Sequence, residues 1–342
     1  MPEQNCAVVL AGGEGKRMKW DRPKSLSPVL FKPMLQWVLD AVRRALIPEV
    51  CVVTGFQHEK LEEYLSQNDP GAVPVFQPER KGTGHAVMMA AGFLRSRAPR
   101  GNVLVLNGDA PFLDGATIQN ALRCHCKEGN AVTVVSAVLD NPGGYGRIIR
   151  GASGGLKAIV EQKDASVREK TVKEVNSGAF WFRTEDLLEA LPLIRNENSQ
   201  GEYYLTDAVQ ILIGQGRRAG AYPVETPGVV LGANDCLQLH ELNTVARKAV
   251  LSALMSAGVD IPCTDGVVIG PDVTVGRSCT ILPGTILRGK TVIGDGCILG
   301  PGTVLEDCTV GGGAVLDSVR GKKCTIEPGR PRHRSPGPSP PD

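Results

Sequence analysis

Residues with the means to do chemistry cluster where apolar runs end. Leu10-Ala11-Gly12-Gly13-Glu14-Gly15-Lys16-Arg17-Met18 continues directly from the strand-like run Cys6-Ala7-Val8-Val9-Leu10. The glycines therefore fall in the loop at a strand's C-terminal end, where open α/β sheets bind ligands. Glycine lets backbone N–H groups come close to phosphate oxygens. Arg17, and Lys24 after Pro23, add the cations that a triphosphate would need. Two familiar phosphate motifs do not fit. The third glycine of G-x-G-x-x-G is missing, and Gly15-Lys16 is followed by Arg17 rather than by Ser or Thr. A merely tight turn is the competing reading.

Asp109 follows the run Val103 to Leu106 immediately and so occupies another strand end, although a turn carboxylate beside Gly108 would look the same. Glu161 and Asn176, taken singly, read as solvated surface groups. The ten cysteines lack C-x-x-C pairing, which fits reduced thiols in a cytoplasm better than a disulfide framework. The close pair in Cys124-His125-Cys126 lies in a helix-like segment whose alternate residues face apart, so no metal site is expected there.

These residues need a scaffold. From residue 6 to about 110, unbroken apolar runs alternate with helical patterns, which predicts a parallel sheet covered on both faces. The expected strands are Val8 to Leu10, Val50 to Thr54, Val73 to Phe76 and Val103 to Leu106, with helices over Leu35 to Ala45, Glu59 to Leu65 and Gly84 to Leu94. Further strands are expected at Ala131 to Leu139, Ala179 to Phe182 and Val229 to Ala233, before a connecting helix from Leu237 to about Ala257. After Pro262 an aliphatic recurs every six residues, at Ile269, Val275, Ile281, Leu287, Ile293, Leu299 and Leu305. A hexapeptide period is the signature of a parallel β-helix whose coils stack aliphatics into one core. The period fades after Leu305, and the Pro-, Ser- and Arg-rich segment ending in Arg332-His333-Arg334-Ser335-Pro336 is expected to be disordered.

Composition narrows the class. The 342 residues are 42% hydrophobic and 22% charged, ordinary for a soluble globular chain of more than one domain. Thirty-eight basic against 36 acidic residues give a net charge of +2, with no basic run before the extreme C-terminus. A surface for nucleic acid or another polyanion is not indicated. No signal peptide and no membrane-length apolar stretch is visible, so a cytoplasmic location is expected.

L-A-G-G-x-G-x-R-M followed by P-K resembles the sugar-nucleotide pyrophosphorylases, and within them the bacterial bifunctional N-acetylglucosamine-1-phosphate uridyltransferase/glucosamine-1-phosphate acetyltransferases. Further matching segments are Gln77 with Gly82-Thr83-Gly84-His85-Ala86, Asn107-Gly108-Asp109, Gly144-Tyr145-Gly146-Arg147-Ile148, Ile159-Val160-Glu161-Gln162-Lys163-Asp164, Val175-Asn176-Ser177-Gly178 and Glu202-Tyr203-Tyr204-Leu205-Thr206-Asp207. Their order and spacing agree over roughly residues 5 to 310. Gly12 stands where the family usually has alanine and Lys16 where it has threonine, and the segment around Asn234 reads Ala233-Asn234-Asp235. Gly12 is common in relatives that handle thymidine or guanosine nucleotides.

The resemblance implies an α/β Rossmann-like nucleotidyltransferase core followed by a short left-handed parallel β-helix. It implies a magnesium-dependent transfer from UTP to N-acetylglucosamine 1-phosphate, which makes UDP-N-acetylglucosamine and pyrophosphate for cell-wall precursors, peptidoglycan and lipopolysaccharide. Leu10, Ala11, Gly12, Gly13 and Arg17 would surround the nucleotide phosphates, and Lys24 the phosphoryl group in transfer. Gln77, Gly82 and Thr83 would meet the uracil. Asn107, Gly108 and Asp109 would follow at the next strand end, and Asp109 with Asn234 would share Mg²⁺, which takes hard oxygen ligands completed by phosphate and water. The sugar side would use Gly146, Glu161 and Asn176. Expected domains are a transferase over 1–235, a helical linker over 236–262, a truncated β-helix over 263–328 and a disordered tail over 329–342. A trimer is implied, because β-helices of this family pack in threes. The seven hexapeptides would make two to three coils. Acetyl transfer is expected to be lost, since beyond residue 251 the only histidine is His333 and a general base needs a fixed position. A pyrophosphorylase for another sugar and nucleotide, and a silent nucleotide-sugar sensor, are the other readings.

Overall fold

The computed structural model describes residues 4–152, 154–329 and 332–333. The chain forms two compact units, one of residues 1–27 with 33–239 and one of residues 28–32 with 240–342.

The first unit is built on a nine-stranded sheet. In chain order the strands are β1 Asn5–Leu10, β2 Glu49–Thr54, β3 Ala72–Phe76, β4 Asn102–Asn107, β5 Val132–Val138, β6 Arg147–Arg150, β7 Leu156–Val160, β8 Glu174–Arg183 and β9 Ala219–Val224. The main path runs β9-β5-β8-β4-β1-β2-β3, and the hairpin β6-β7 joins it at β8. Strands β1, β2, β3 and β4 are mutually parallel, while β8 runs antiparallel to both β4 and β5. Cys6 and Val8 enter the core on one face of the sheet, and Ala7 and Val9 the core on the other. Both faces are covered, so β1 has no polar side to show, and its run is apolar at every position. The thiols of Cys6 and Cys51 are pushed up to about 12 by burial, which leaves them inert packing groups.

Helices α1 Met34–Arg44, α2 His58–Asn68, α3 Thr83–Met89, α4 Ala91–Arg97, α5 Gly115–Glu128, α6 Thr184–Ala190 and α7 Leu205–Gly214 complete the unit. The single helix expected over Gly84 to Leu94 is thus two, joined at Ala90 (ψ −1°). The strand expected over Val229 to Ala233 is not formed. Pro227–Val230 is a 3₁₀ turn, since Pro227 lacks the N–H a ladder needs and presets the φ of a helical turn. Val229 and Val230 are buried by closing the core against β5 and β8, not by pairing. The strand actually present there is β9, at the sheet's edge, where Pro223 does no harm. Its residues Ala-Gly-Ala-Tyr-Pro-Val are only partly buried, so they carry no clear apolar period.

In the second unit, α8 Cys236–Ser256 leads to three four-stranded parallel sheets, the left-handed β-helix expected from hexapeptides. One interior column stacks Ile269, Leu287 and Leu305 in register, a second stacks Val275, Ile293, Val310 and Ile326, and a third stacks Ile281, Leu299 and Leu316. The strands lie four deep, beyond the two to three coils expected. The period becomes five from Leu305 to Val310 and again through Leu316, Gly321 and Ile326, so a count in sixes loses the signal while the coils continue. Arg332–His333 pairs with Val315–Asp317 as a further strand, which corrects the expected disorder from 329 onward at these two residues. Residues 330, 331 and 334–342 of that expectation lie outside the described residues.

Candidate active site

Parallel register sets Leu10 beside Asn107, so the glycine loop after β1 and the Gly108-Asp109 turn after β4 start side by side. The chain goes from β1 to β2 and β3 on one flank, then returns to β4 on the other, and this reversal opens a crevice at the strands' C-terminal edge. Gln77 follows β3 and donates its backbone N–H to Thr54 O at 2.9 Å. The loops close tightly here: a Cβ on Gly55 would lie 2.8 Å from Gly12 Cα. Ala11 is buried and bonds Val53 O, and Gly108 N–H donates to Leu10 O at 2.9 Å. Both shape the wall behind the crevice.

Lys24 is the meeting point of the charges. Its Nζ donates to Asn234 Oδ1 at 2.6 Å and is ion-paired with Asp109 Oδ2. One ammonium thus gathers the two side-chain oxygens expected to hold a cation. Gly232 packs closely on Asp109, since a Cβ there would come within 3.2 Å of the Asp109 backbone oxygen. Asn234 is oriented by the start of α8: its N–H donates to Gln238 Oε1 at 2.7 Å, while Gln238 N–H donates to Asp235 Oδ1 at 2.9 Å. This is nearly a capping box. His125, by contrast, is buried in α5 with Nδ1 3.0 Å from Thr133 Oγ1, away from these groups.

Gly146, Glu161 and Asn176 come together across β6, β7 and β8. Asn176 N–H donates to Gly146 O at 2.9 Å, and the Glu161 carboxylate packs where a Gly146 side chain would be, 3.3 Å from an added Cβ. Thr206 donates its hydroxyl to Glu161 Oε1 at 3.3 Å. Pairing in β8 shifts between Asn176 and Phe180. Gly178 within that bulge has φ 80°, and a side chain there would collide with the Asn107 amide.

Burial raises the Glu161 pKa above the usual carboxylate range, the charges of Asp164 and Asp207 add to this, and the Thr206 hydrogen bond opposes it. The folded state therefore holds that proton more tightly than the unfolded chain does. As pH rises from the unfolded value near 4.5 through the folded one, ionised Glu161 costs stability. Glu161→Gln escapes that cost, so its Tm should exceed the parent's by a few degrees at pH 8. The gap should close toward pH 4. A Tm difference that does not change with pH would refute the assignment.

Three adjoining cavities open on these groups. The largest, about 430 Å³, is lined by Gly13, Glu14, Gly15, Arg17, Lys24 and Asn234 among others. A second of about 400 Å³ includes Arg17, Asn107, Asp109, Gly146, Glu161, Asn176 and Asn234. The third, about 300 Å³, includes Leu10, Gly12, Gly13, Gln77, Gly82, Thr83 and Asp109. Asp109 belongs to two of them and Lys24 stands beside it, so the cationic group lies where the cavities meet.

Several lining residues carried no chemical expectation. Arg80 and Glu202 line two of the cavities, and Arg80 donates to Glu14 Oε2 at 2.7 Å. Tyr145 and Ser177 line the cavity that holds Glu161. For Gln238 a signal existed: Asp235-x-x-Gln238 before an apolar run is a helix start, which implies that the preceding Asn234 is held in place. For Arg80 and Glu202 there was none, because only the fold brings them together.

Comparison with known proteins agrees with this architecture. The family model for nucleotidyl transferases matches residues 6–227, and that for bacterial transferase hexapeptides matches residues 272–307. The bifunctional protein GlmU of Acetivibrio thermocellus is 42% identical over 281 residues, 82% of this chain and 60% of the relative. That of Caldanaerobacter subterraneus subsp. tengcongensis is 44% identical over 288 residues, 84% of this chain and 62% of the relative. That of Geobacillus sp. is 40% identical over 328 residues, 94% of this chain and 70% of the relative. The chain thus spans about six tenths of the length of the first two. A putative glucose-1-phosphate thymidylyltransferase from Bacillus anthracis, solved with sucrose, shares the fold with a TM-score of 0.58 at 19% identity, over 71% of this chain and 95% of that one. By its matched domains and these relatives, the chain belongs to the nucleotidyl transferase family, in its GlmU branch.

Proposed function

We propose that this chain transfers a uridylyl group from UTP to N-acetylglucosamine 1-phosphate, giving UDP-N-acetylglucosamine and pyrophosphate for cell-wall precursor synthesis in the cytoplasm. The observation that carries this reading is the convergence of Lys24, Asp109 and Asn234 where a glycine-lined cavity meets one lined by Glu161 and Asn176. The sugar phosphate oxygen attacks the α-phosphorus, a P–O bond forms, and the bond to the β-phosphate oxygen breaks. Such a centre needs charge neutralisation and alignment more than covalent chemistry. Arg17 and Lys24 supply fixed positive charge toward the phosphates. Glu161 and Asn176 present an acceptor and an amide to the sugar. Among the described residues no helix is long and apolar enough to cross a membrane.

The donor set fits a magnesium ion. Asp109 and Asn234 offer two hard oxygens that already converge on one cation, few enough to leave positions for phosphate and water. Bound there, Mg²⁺ would neutralise phosphate charge. Among the described residues there is no group of three His, Cys, Asp or Glu that could hold a metal unaided, which suits an ion brought in with the nucleotide.

The test is a panel of four nucleoside triphosphates against four sugar 1-phosphates, scored by pyrophosphate release. UTP with N-acetylglucosamine 1-phosphate should lead. A clear preference for dTTP or for glucose 1-phosphate would refute the substrate assignment. The proposal includes no acetyl transfer by these 342 residues, since the β-helix offers no histidine before His333. It does include a trimer, for which Val292 and Ile298 leave exposed aliphatic surface on the coils. Light scattering at tens of micromolar should give three times the chain mass, and a monomer would count against it.

A further inference from the structure

The amide of Gln77 has two ends alike in shape and opposite in chemistry, one donating and one accepting. Gln77 is only 4% exposed, so the protein decides which end faces outward. Its Nε2 lies 3.3 Å from Gly82 O and 2.9 Å from His85 Nδ1. A backbone carbonyl can only accept, so the end beside Gly82 O must be the amine. His85 Nδ1 must then accept too, which puts the proton of the neutral ring on Nε2. The Gln77 oxygen is left on the side of Gly12, where an added Cβ would lie 3.3 Å from Oε1, against the cavity of about 300 Å³ lined by Gly12, Gly13, Gln77 and Gly82.

We propose that His85 is a positioning residue that holds the Gln77 oxygen toward the base cavity and so selects a uridine over a cytidine triphosphate. The inference rests on the reading above that UTP is the nucleotide and that Gln77 meets its base. Uracil carries a single donor on its Watson–Crick edge, N3–H, between two carbonyls. An acceptor-only amide can be satisfied there by that group alone. Cytosine presents a lone pair at the same ring nitrogen, so the fixed oxygen repels it. Among the described hydrogen bonds, removing the His85 acceptor leaves the longer contact to Gly82 O to oppose rotation of the amide, and a rotated amide turns a donor to cytosine. Backbone contacts hold the frame around this pair: Gly82 has φ 102°, and Gly84 N–H donates to Tyr203 O at 2.8 Å.

The experiment measures kcat/KM for UTP and for CTP with the full chain and two variants, alongside Tm. His85→Phe removes the acceptor and keeps a flat ring. His85→Asn keeps an acceptor at the place of Nδ1. His85→Phe should lower the UTP/CTP ratio roughly tenfold, mostly by raising CTP use, and His85→Asn should restore most of it. A folded His85→Phe with an unchanged ratio overturns the inference while leaving the uridylyl reading intact. Equal loss in both variants overturns it as well, because the acceptor would then not be the cause. A parent chain with no preference for UTP overturns the reading and the inference together.

Discussion

Asp109→Ala should lower the turnover of nucleotidyl transfer by roughly 10²- to 10³-fold, the usual cost of removing one group aimed at developing charge. Asp109 is the only carboxylate in contact with Lys24 among the described hydrogen bonds and ion pairs, and with Asn234 it offers the two oxygens proposed for Mg²⁺. Removing it leaves the amide of Asn234, a neutral and weaker ligand. The fold should survive. The Asp109 side chain is 27% exposed, so water reaches the site and the lost pair contributes little to stability. Circular dichroism and Tm close to the parent's would verify this, and Mn²⁺ titration followed by electron paramagnetic resonance should show lost binding. Near-normal turnover in a folded Asp109→Ala chain would refute the metal assignment.

Lys24→Met should cost a similar factor through a different interaction. The aliphatic stem of Lys24 packs on Gly15, where a Cβ would come within 3.0 Å of Lys24 Cβ, and methionine preserves that stem while deleting the charge. Lost neutralisation at the phosphoryl group then appears mainly in kcat. Lys24→Arg should rescue little, because a planar guanidinium cannot replace a point charge fitted between Asp109 and Asn234. The two substitutions should part company in metal binding. Asp109→Ala removes a ligand, whereas Lys24→Met removes a cation that competes for the same oxygens. Mn²⁺ affinity in the absence of nucleotide should therefore fall in the first and hold or rise in the second. Loss of Mn²⁺ binding in both would mean that Lys24 supports the cation site rather than competing for it.

If both results hold, Lys24 and the divalent ion draw on the same two oxygens, those of Asp109 and Asn234. The fold itself then gathers Asp109 and Asn234 around one positive charge. Such an arrangement lowers the reorganisation needed at the moment of reaction. Lys24 itself is held in a short 3₁₀ turn, Lys24–Leu26, tied by Leu26 N–H to Pro23 O at 3.0 Å.

Much of this molecule was legible in its sequence, for reasons that are local. The runs at Val8, Val50 and Val103 read as parallel strands because both sheet faces are buried there and the positions must be apolar, whereas the edge run at Val73 is largely exposed and read as a strand from its β-branched composition. The sixfold aliphatic period read as a β-helix because each coil repeats one turn geometry. At Gly12, Gly82 and Gly108 the protein's own backbone and side chains approach closely enough to leave little room for a side chain. The departures were local as well. Val229-Val230 is buried by covering a core, which resembles a strand in composition, while the edge strand β9 hides its role behind Pro223 and the small residues Ala219, Gly220 and Ala221. Past Leu305 some of the six-residue repeats shorten to five, so a strict count in sixes missed sheet pairing that continues.

What the tertiary structure alone decided was which distant groups meet. Lys24 and Asn234 are 210 residues apart, and no spacing rule joins them. They meet because the sheet order reverses between β1 and β4 and because the start of α8 holds Asn234 by its backbone. Glu161 and Asn176 read singly as surface groups, and they meet each other and Gly146 only because β6, β7 and the bulged β8 fold across one another. The amide of Gln77 was a residue type able to read a base, with either end. Which end it presents is set by Gly82 O and His85, through contacts that a residue type cannot specify. Sequence determines the period and chemistry of each segment because those depend on neighbours along the chain. The pairing of charges and the direction of hydrogen bonds depend on neighbours in space, and only the folded sheet supplies them.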